Sequence, residues 1–164
     1  MTEQLYVESI NKIIQNKKML ESSFKIKLSN KSHILFIEGK AEDEFLALQA
    51  VEALNLGFSI NEVVLLKNDE FVFEKIYIKN ITKRRNMSEV RGRVIGAGGK
   101  ALRVLEELSE TYISVHDNMV GVIGELTNVK KAVYALKRII AGSKHSAMYA
   151  YLEKQKVIEK NTRF

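Results

Sequence analysis

The chain has 164 residues, 46% of them hydrophobic and 28% charged, a balance typical of an ordinary globular protein. It contains no cysteine, which excludes disulfides, thiolate nucleophiles and sulfur-ligated zinc. No apolar run approaches the roughly 20 residues that a membrane helix needs. The first residues lack the basic patch and apolar stretch of a signal peptide, so the sequence predicts a cytoplasmic protein.

The charge is divided unevenly between the two halves. Residues 1–75 carry nine Lys, no Arg and twelve acids, whereas residues 76–164 carry ten Lys, seven Arg and eight acids. Because Arg is suited to bidentate contacts with phosphate, a polyanion-binding surface is expected in the second half. The alternative is a solubility charge without a partner, which would usually be spread along the chain.

The first part of the chain predicts two short strands, a helix and a connector. The strands are expected over Phe24–Leu28 and Ile34–Ile37, and the helix over Asp43–Leu54. Glu42, Asp43 and Glu44 open this helix, where acids complement the helix dipole. Ser59 and Glu62 then form the pattern of a capping box, which predicts a short connecting helix through Leu66.

The same pattern returns about 85 residues later. Here the strands are predicted over Tyr112–His116 and Val120–Ile123, and the helix over Asn128–Ile140. Gly39 and Gly124 coincide at this offset, and the apolar positions of the two helices agree. An exposed pair inverts its sign, as Glu52 against Lys137. A shared core with divergent surfaces indicates two copies of one fold.

The second copy also shows how the fold begins. Phe71–Ile78 predicts a strand, and a polar loop follows with the cations Lys83, Arg84 and Arg85. Asn86 with Glu89 marks the start of a helix, and after four residues a second helix follows. In that helix the apolar side chains are predicted to point inward (Leu102, Leu105, Leu108) and the charged ones outward (Arg103, Glu106, Glu107, Glu110). The predicted order is β-α-α-β-β-α.

The break between these two helices is the segment Gly96-Ala97-Gly98-Gly99, the candidate functional site. Glycine permits positive φ angles in a tight turn, and its missing Cβ allows backbone N–H groups to approach phosphate oxygens. The next helix presents its positive N-terminal end there. The predicted phosphate contacts are Lys100, Arg91, Arg93 and Arg103, and the loop cations Lys83, Arg84 and Arg85 are further predicted RNA-binding residues. In a KH domain such a loop clamps about four nucleotides by their backbone. The alternative is a helix-turn-helix corner without a ligand.

A four-residue Gly-x-x-Gly motif is weak evidence by itself, because it occurs by chance about once in a chain of this length. Gly121-Val122-Ile123-Gly124 also matches, but it lies in an apolar strand without flanking cations, where glycines more often mark a bulge or close packing. We therefore reject this second match as a binding loop.

Bases are expected to meet an aliphatic groove, because no aromatic residue stands between Lys79 and Thr111. The apolar candidates for base contacts are Val94, Ile95, Ile113 and Val115. Some of them must belong to the core, and the alternation of Ile113 and Val115 along their strand favours the core for both.

At several points the sequence resembles a known family. The segments concerned are Gly92–Lys100, Thr111–Val115, Val122–Gly124, the connector Gly57–Leu66 and the tail Ile140–Lys154. They resemble the tandem-KH assembly factors of the small ribosomal subunit, the archaeal counterparts of the eukaryotic partner of Nob. The resemblance implies a role in ribosome biogenesis and rRNA processing, with binding of single-stranded RNA near the 3′ end of small-subunit rRNA. It also implies the nuclease Nob and the alpha subunit of initiation factor two as partners.

The sequence departs from the family in two places. Ala97 stands where the family usually carries Lys, and the first copy has Gln15-Asn16-Lys17-Lys18 where a glycine loop would fall, followed by a shortened helix. We therefore expect an α+β protein with two tandem type I KH domains, the first of them degenerate. The predicted division is a degenerate KH domain (1–57), a helical connector (58–70), a KH domain with the GxxG loop (71–142) and a helical tail (143–164). The helix of this tail is expected to fade into Lys160–Phe164.

Other function classes have little support in the sequence. His33, His116 and His145 are scattered without metal-ligand spacing, so structural or exposed roles are expected and no metal or other cofactor is predicted. The carboxylate clusters have no partner base or nucleophile in a motif, so the chain is not expected to be an enzyme. The remaining alternative is a KH-fold scaffold in translation initiation or RNA processing that binds proteins and whose basic face is incidental.

Overall fold

The computed structural model describes residues 2–162. These residues divide into two compact units, with the boundary between Phe73 and Glu74. In each unit the elements follow the order β-α-α-β-β-α, which confirms the predicted α+β class. Within residues 2–162, none of the helices combines the length and the hydropathy needed to span a bilayer.

The first unit packs an antiparallel sheet against one face of a long helix. Its elements are β1 (Thr2–Tyr6), α1 (Ile10–Gln15), α2 (Lys17–Phe24), β2 (Lys27–Lys31), β3 (Ile34–Glu38), α3 (Ala41–Leu56) and α4 (Ile60–Val63). The strand order is β1-β3-β2, so the last strand lies in the middle. Alternate residues of β3, Leu35 and Ile37, are buried, as is the Ala47, Ala50, Val51 and Leu54 face of α3. This is the amphipathic packing that the sequence pattern predicts.

Two details of the first unit differ from the prediction. The strand β1 was not predicted, because its Thr2–Tyr6 sequence is polar and all but one of its residues are exposed. The predicted strand Phe24–Leu28 begins only at Lys27, since Phe24 ends α2 and Lys25 adopts the left-handed conformation (φ +56°) that terminates this helix. The connector prediction is confirmed, with both hydrogen bonds of the Ser59–Glu62 capping box present.

The second unit repeats this plan and adds a helix. Its elements are β4 (Phe71–Tyr77), α5 (Met87–Ile95), α6 (Lys100–Ser109), β5 (Tyr112–His116), β6 (Met119–Glu125), α7 (Leu126–Ile140) and α8 (His145–Thr162). The strand order is β4-β6-β5, the same as in the first unit. Because β6 is the central strand and packs under α7, Val120, Val122 and Ile123 are fully buried.

The two units share hydrogen bonds at the predicted offset of 85 residues. The Glu21 carboxylate accepts a hydrogen bond from the Leu28 backbone N–H at 3.0 Å, and the Glu106 carboxylate accepts one from the Ile113 N–H at 2.8 Å. In both cases the second helix of the unit thereby holds the strand that follows it. The prediction that Glu106 points outward is wrong for this reason, since its carboxylate serves this strand.

The units differ in the segment between their first strand and their second helix. The helices α1 and α2 have six and eight residues, whereas α5 and α6 have nine and ten. A single residue, Asn16, separates the first pair, whereas the four residues of the glycine segment separate the second. The shortened helix that the sequence predicts for the first copy is confirmed.

The last helix, α8, belongs to the second unit. It packs on α6 and α7 through Met148 and Leu152, which are buried, and Glu159 forms an ion pair with Lys131 of α7. The predicted fading of the tail after Lys160 is not seen in the described part, because α8 continues to Thr162. The last two residues of that predicted tail lie outside the described residues.

Candidate nucleic-acid interface

The glycine segment forms an open turn between two helices, as predicted. Gly96, Gly98 and Gly99 have φ angles of +76°, +60° and +76°, and the Gly99 N–H donates to the Gly96 carbonyl at 3.1 Å. Among residues 2–162, no heavy atom apart from those of the glycine itself and its chain neighbours lies within 4 Å of the place where a Cβ would stand on Gly98 or Gly99. No side chain caps the N-terminus of α6, which begins at Lys100. The turn therefore presents bare backbone, next to the positive end of a helix dipole, to any approaching anion.

Gly96 has a different role from its two neighbours. A Cβ on Gly96 would stand 2.6 Å from the Ala101 Cβ and 2.8 Å from the Ala101 nitrogen. Its N–H donates to the Gly92 carbonyl at 2.8 Å, which closes the last turn of α5. Gly96 thus allows α5 and α6 to meet closely, while Gly98 and Gly99 leave space above the turn.

The start of α5 is fixed by a side-chain cap. The Asn86 side chain accepts a hydrogen bond from the Glu89 N–H at 3.2 Å, which confirms half of the predicted capping pattern. The Glu89 carboxylate forms an ion pair with Arg84 at 3.5 Å. Both side chains of this pair are more than half exposed, so the pair contributes little to stability and leaves Arg84 accessible.

Arg93, a predicted phosphate contact, is engaged within the fold. Its guanidinium donates hydrogen bonds to the backbone carbonyls of Ile139, at 3.2 Å, and Ser143, at 2.9 Å. Ile139 lies in the last turn of α7 and Ser143 lies three residues after its last residue, Ile140. The negative end of the helix dipole attracts a cation at this place. Arg93 is therefore a structural tie. These two bonds occupy two of its five N–H donors, and its predicted phosphate contact stays a prediction.

The first unit contains the same tie. The Lys12 ammonium donates to the carbonyls of Leu54, at 2.9 Å, and Phe58, at 3.1 Å. These two residues stand 85 positions before the Ile139 and Ser143 acceptors. A cation on the first helix of each unit thus holds the end of the unit's third helix, which supports the structural assignment of Arg93.

The other predicted cations lie at or near the surface. Lys83, Arg84, Arg85, Lys100 and Arg103 are exposed, and Arg91 is partly buried. The Arg103 guanidinium donates a hydrogen bond to the Gly98 carbonyl at 3.2 Å, so one of its nitrogens stabilises the glycine turn. The guanidinium has five N–H donors, and this bond leaves capacity for a phosphate.

The apolar candidates for base contacts separate into two groups. Val94 is completely buried and Ile113 is 5% exposed. Both side chains therefore belong to the core, which corrects their prediction as base contacts. Ile95 and Val115 are partly exposed and stay accessible to a base.

The second Gly-x-x-Gly match is confirmed as part of the sheet. Gly121 is opposite Ser114 in the β5–β6 ladder, and both glycines of the match are buried. A Cβ on Gly124 would stand 2.9 Å from the Thr111 Cγ2. Close packing explains the glycine there, as Gly39 in the first unit shows by its equally close approach to Ile26.

A β-α-α-β-β-α unit that carries an open Gly-x-x-Gly turn between its first two helices is a KH domain, a class of single-strand RNA-binding module. Residues 72–157 match the family profile of the second KH domain of PNO1, described as a eukaryotic type KH domain, KH-domain type I. This match covers more than half of the chain. The chain therefore belongs to the PNO1 family of KH-domain proteins.

Relatives from archaea and eukaryotes resemble the chain. It is 34% identical over 119 residues to a KH domain-containing protein, MJ0443, of Methanocaldococcus jannaschii, across 72% of the chain and 52% of that relative. It is 31% identical over 135 residues to the pre-rRNA-processing protein pno1 of Schizosaccharomyces pombe, across 77% of the chain and 56% of that relative. The chain thus spans about half the length of these curated relatives.

Solved structures extend the similarity over nearly the whole chain. Dim2p from Pyrococcus horikoshii matches with a TM-score of 0.84 and 28% identity, over 94% of this chain and 99% of that one. A chain in the a/eIF2alpha–aDim2p–rRNA complex from the same organism matches with a TM-score of 0.86 and 27% identity, over 96% of this chain and 95% of that one.

Two residues of α8 lie near the glycine turn, although no pattern in the sequence predicted this. His145 Nε2 is 2.8 Å from the Arg93 carbonyl, and the ring of Tyr149 meets that of His145 edge-on at 6.1 Å. His145 was predicted to be structural or exposed, and its hydrogen bond confirms a structural contact. Because α8 is separated from the turn by about fifty residues, only the folded chain brings them together.

Proposed function

We propose that the chain binds single-stranded RNA near the 3′ end of small-subunit rRNA and assists the maturation of that rRNA. The observation that carries this proposal is the open turn at Gly98 and Gly99, on the uncapped N-terminus of α6, in the unit that matches the PNO1 KH domain. The naming of relatives as pre-rRNA-processing or RNA-binding proteins supports it, as does the similar chain in a complex with rRNA.

In this proposal the backbone of Gly96, Ala97, Gly98 and Gly99 receives the phosphates. Lys100, Arg91 and Arg103 neutralise phosphate charge beside the turn, and the exposed cations Lys83, Arg84 and Arg85 extend the basic surface. Ile95 and Val115 contact bases. Ala97 provides no charge, so the grip on phosphate depends on the backbone and on the neighbouring cations.

For the first unit we propose a degenerate KH domain that does not bind RNA. It has the order and sheet of the second unit but joins its first two helices through Asn16 alone. Without a glycine turn its backbone cannot close on phosphate in the same way. We assign residues 1–57 to this copy, 58–70 to the connector and 71–142 to the RNA-binding copy, with 143–164 as its helical extension.

We further propose protein partners and a setting. The alpha subunit of initiation factor two is one partner, since a similar chain occurs in a complex with that subunit. The nuclease Nob is a second, expected from the family resemblance. The chain itself acts in the cytoplasm as a binding protein, with no catalytic activity of its own.

The competing function is a protein scaffold whose basic face is incidental. An RNA-binding KH domain and a protein scaffold differ in their preference for single-stranded over double-stranded RNA. A KH turn requires splayed single-stranded bases, so the full chain should bind an rRNA 3′-end oligonucleotide and should lose most affinity when that oligonucleotide is annealed to its complement. Fluorescence anisotropy at low salt measures both. Absence of binding to the single strand would favour the scaffold.

A further inference from the structure

A cavity of about 390 Å³ lies beside the glycine turn, within the second unit. It is widely open to solvent. Gly96 and Ala97 of the turn line one part of it, Ala101 and Val104 of α6 another, and His145 and Tyr149 of α8 a third. Its volume is near the lower end of the roughly 300–1,000 Å³ of ligand pockets. The cavity and the glycine turn thus share residues, so a strand that crosses the turn passes the cavity.

The wall formed by α8 is held in place by Arg93. The Arg93 guanidinium donates to the Ser143 carbonyl at 2.9 Å, just before α8 begins, and the Arg93 carbonyl accepts from His145 Nε2 at 2.8 Å. The His145 ring in turn meets the Tyr149 ring edge-on, with an angle of 63° between the planes. The β-α-α-β-β-α order ends at α7, so this aromatic wall lies outside the elements that define the KH fold.

The chemistry of the walls indicates the ligand. Glycine, alanine and valine line one side, the aromatic rings of His145 and Tyr149 line another, and Arg93 and the exposed Lys100 add positive charge. Partial burial raises the pKa of the Tyr149 phenol above its ordinary value near 10. The phenol is neutral at neutral pH with or without this shift, so it does not repel phosphate. A planar heterocycle attached to an anionic group fits these features, because bases stack on Tyr and His rings and phosphates pair with cations.

We propose that this cavity holds one unpaired base of the RNA strand that crosses the glycine turn, stacked against Tyr149. The inference rests on the proposed RNA-binding function and adds to it an aromatic base site built from α8. The groove expected from the sequence is aliphatic and contains no stacking ring. The cavity therefore supplies a stacking surface that the segment between Lys79 and Thr111 lacks.

The test uses the full chain and rRNA 3′-end oligonucleotides with 2-aminopurine at one position at a time. Stacking should quench the fluorescence of 2-aminopurine at one position when wild-type protein or Tyr149→Phe binds, but not when Tyr149→Leu binds. Tyr149→Leu should bind the unmodified RNA about tenfold more weakly, and an abasic nucleotide at the quenched position should abolish this difference. Tyr151→Leu is the matched control, because Tyr151 packs on Tyr134 outside the cavity.

Equal affinity of Tyr149→Leu and wild-type protein for every oligonucleotide would overturn the base site while the glycine clamp stands. Loss of quenching with Tyr149→Phe as well as Tyr149→Leu would also overturn it, since the phenyl ring keeps the stacking surface. Failure of wild-type protein to bind any of the oligonucleotides would refute the proposed function together with this inference. Circular dichroism of each variant establishes that α8 is intact.

Discussion

The glycine turn can be tested by placing charge on it without altering its shape. The change is Gly98→Asp with Gly99→Asp, and the matched control is Gly98→Asn with Gly99→Asn. Both glycines have positive φ, a conformation that Asn and Asp tolerate better than other residues, and each Cβ would meet no atom within 4 Å. The two double variants therefore carry the same conformational cost and nearly the same volume, and they differ in two negative charges.

The expected magnitude follows from electrostatics and from access to the backbone. A carboxylate about 4 Å from a phosphate repels it by about 1 kcal/mol even at the dielectric constant of water. Two carboxylates give about 2 kcal/mol, which corresponds to roughly 30-fold in affinity. The new side chains also stand where the strand approaches the backbone, so the Asp pair should bind about a hundredfold more weakly than wild-type protein. The Asn pair should lose only the part of the RNA affinity that depends on the strand's access to the backbone.

Anisotropy titrations with a labelled rRNA 3′-end oligonucleotide measure this difference. The difference in RNA affinity between the Asp pair and the Asn pair should be largest near 10 mM salt, where the Debye length is about 30 Å. It should decrease toward 1 M salt, where the Debye length is about 3 Å. Circular dichroism and denaturant unfolding establish that both variants are folded. If the folded Asp pair binds as tightly as the Asn pair at low salt, phosphate does not lie over this turn and the clamp assignment is wrong.

The cations near the turn, the Arg93 tie and the division between the two units each allow a further test. Lys100, Arg91 and Arg103 as phosphate contacts predict a slope of log affinity against log salt of about −2, and Arg93 as a fourth contact would make it about −3. A slope near zero in a salt titration would favour the scaffold. Arg93→Met should cost about 2 kcal/mol in denaturant unfolding, since hydrogen bonds from charged groups contribute about 1.5–3 kcal/mol, whereas Arg93→Lys should cost much less because Lys12 fills the equivalent role. Unchanged stability of Arg93→Met would contradict the tie. A fragment from Phe71 onward should keep most of the RNA affinity in a binding assay, and comparable binding by residues 1–70 would contradict the division of labour.

The sequence predicted most elements of the fold because their patterns depend on local periodicity. The helix α7 and the strands β5 and β6 lie close to their predicted bounds. The glycine turn lies between two helices, as the helical patterns on both sides of it predicted. The strand β1 was not predicted because its sequence has almost no apolar alternation. Its formation depends on pairing with β3. Pairing partners of that kind cannot be read from a single segment.

The candidate site was predicted less completely because surface and core positions look alike in the sequence. Arg93 stands in a run of cations next to the turn, and only the folded chain shows its guanidinium at the carbonyls of Ile139 and Ser143. Val94 is apolar, as a base contact must be, but its position on α5 faces the core. The aromatic wall at Tyr149 could not be predicted, since the distance in sequence conceals its place beside the turn.

The comparison of the two units separates what makes this fold stable from what makes it bind. In the first unit the Val7 N–H donates a hydrogen bond to the His33 carbonyl, and in the second unit the Ile78 N–H donates the equivalent bond to the Asn118 carbonyl. The first pair is 26 residues apart and the second pair 40, so the first unit has 14 residues fewer in this stretch. Because the 85-residue offset holds from the second helix onward, the deficit falls before and within the helix pair.

That stretch of the second unit contains the basic loop and the glycine turn. The features that both units keep are the sheet, the third helix and the cation that ties the end of that helix. A KH fold can therefore lose its RNA-binding segment and retain its core, because none of the shared stabilising contacts passes through the turn. For the same reason, changes at Gly98 and Gly99 should affect RNA affinity far more than stability. Changes at Arg93 should lower stability, and they should also loosen the α8 wall of the proposed base site.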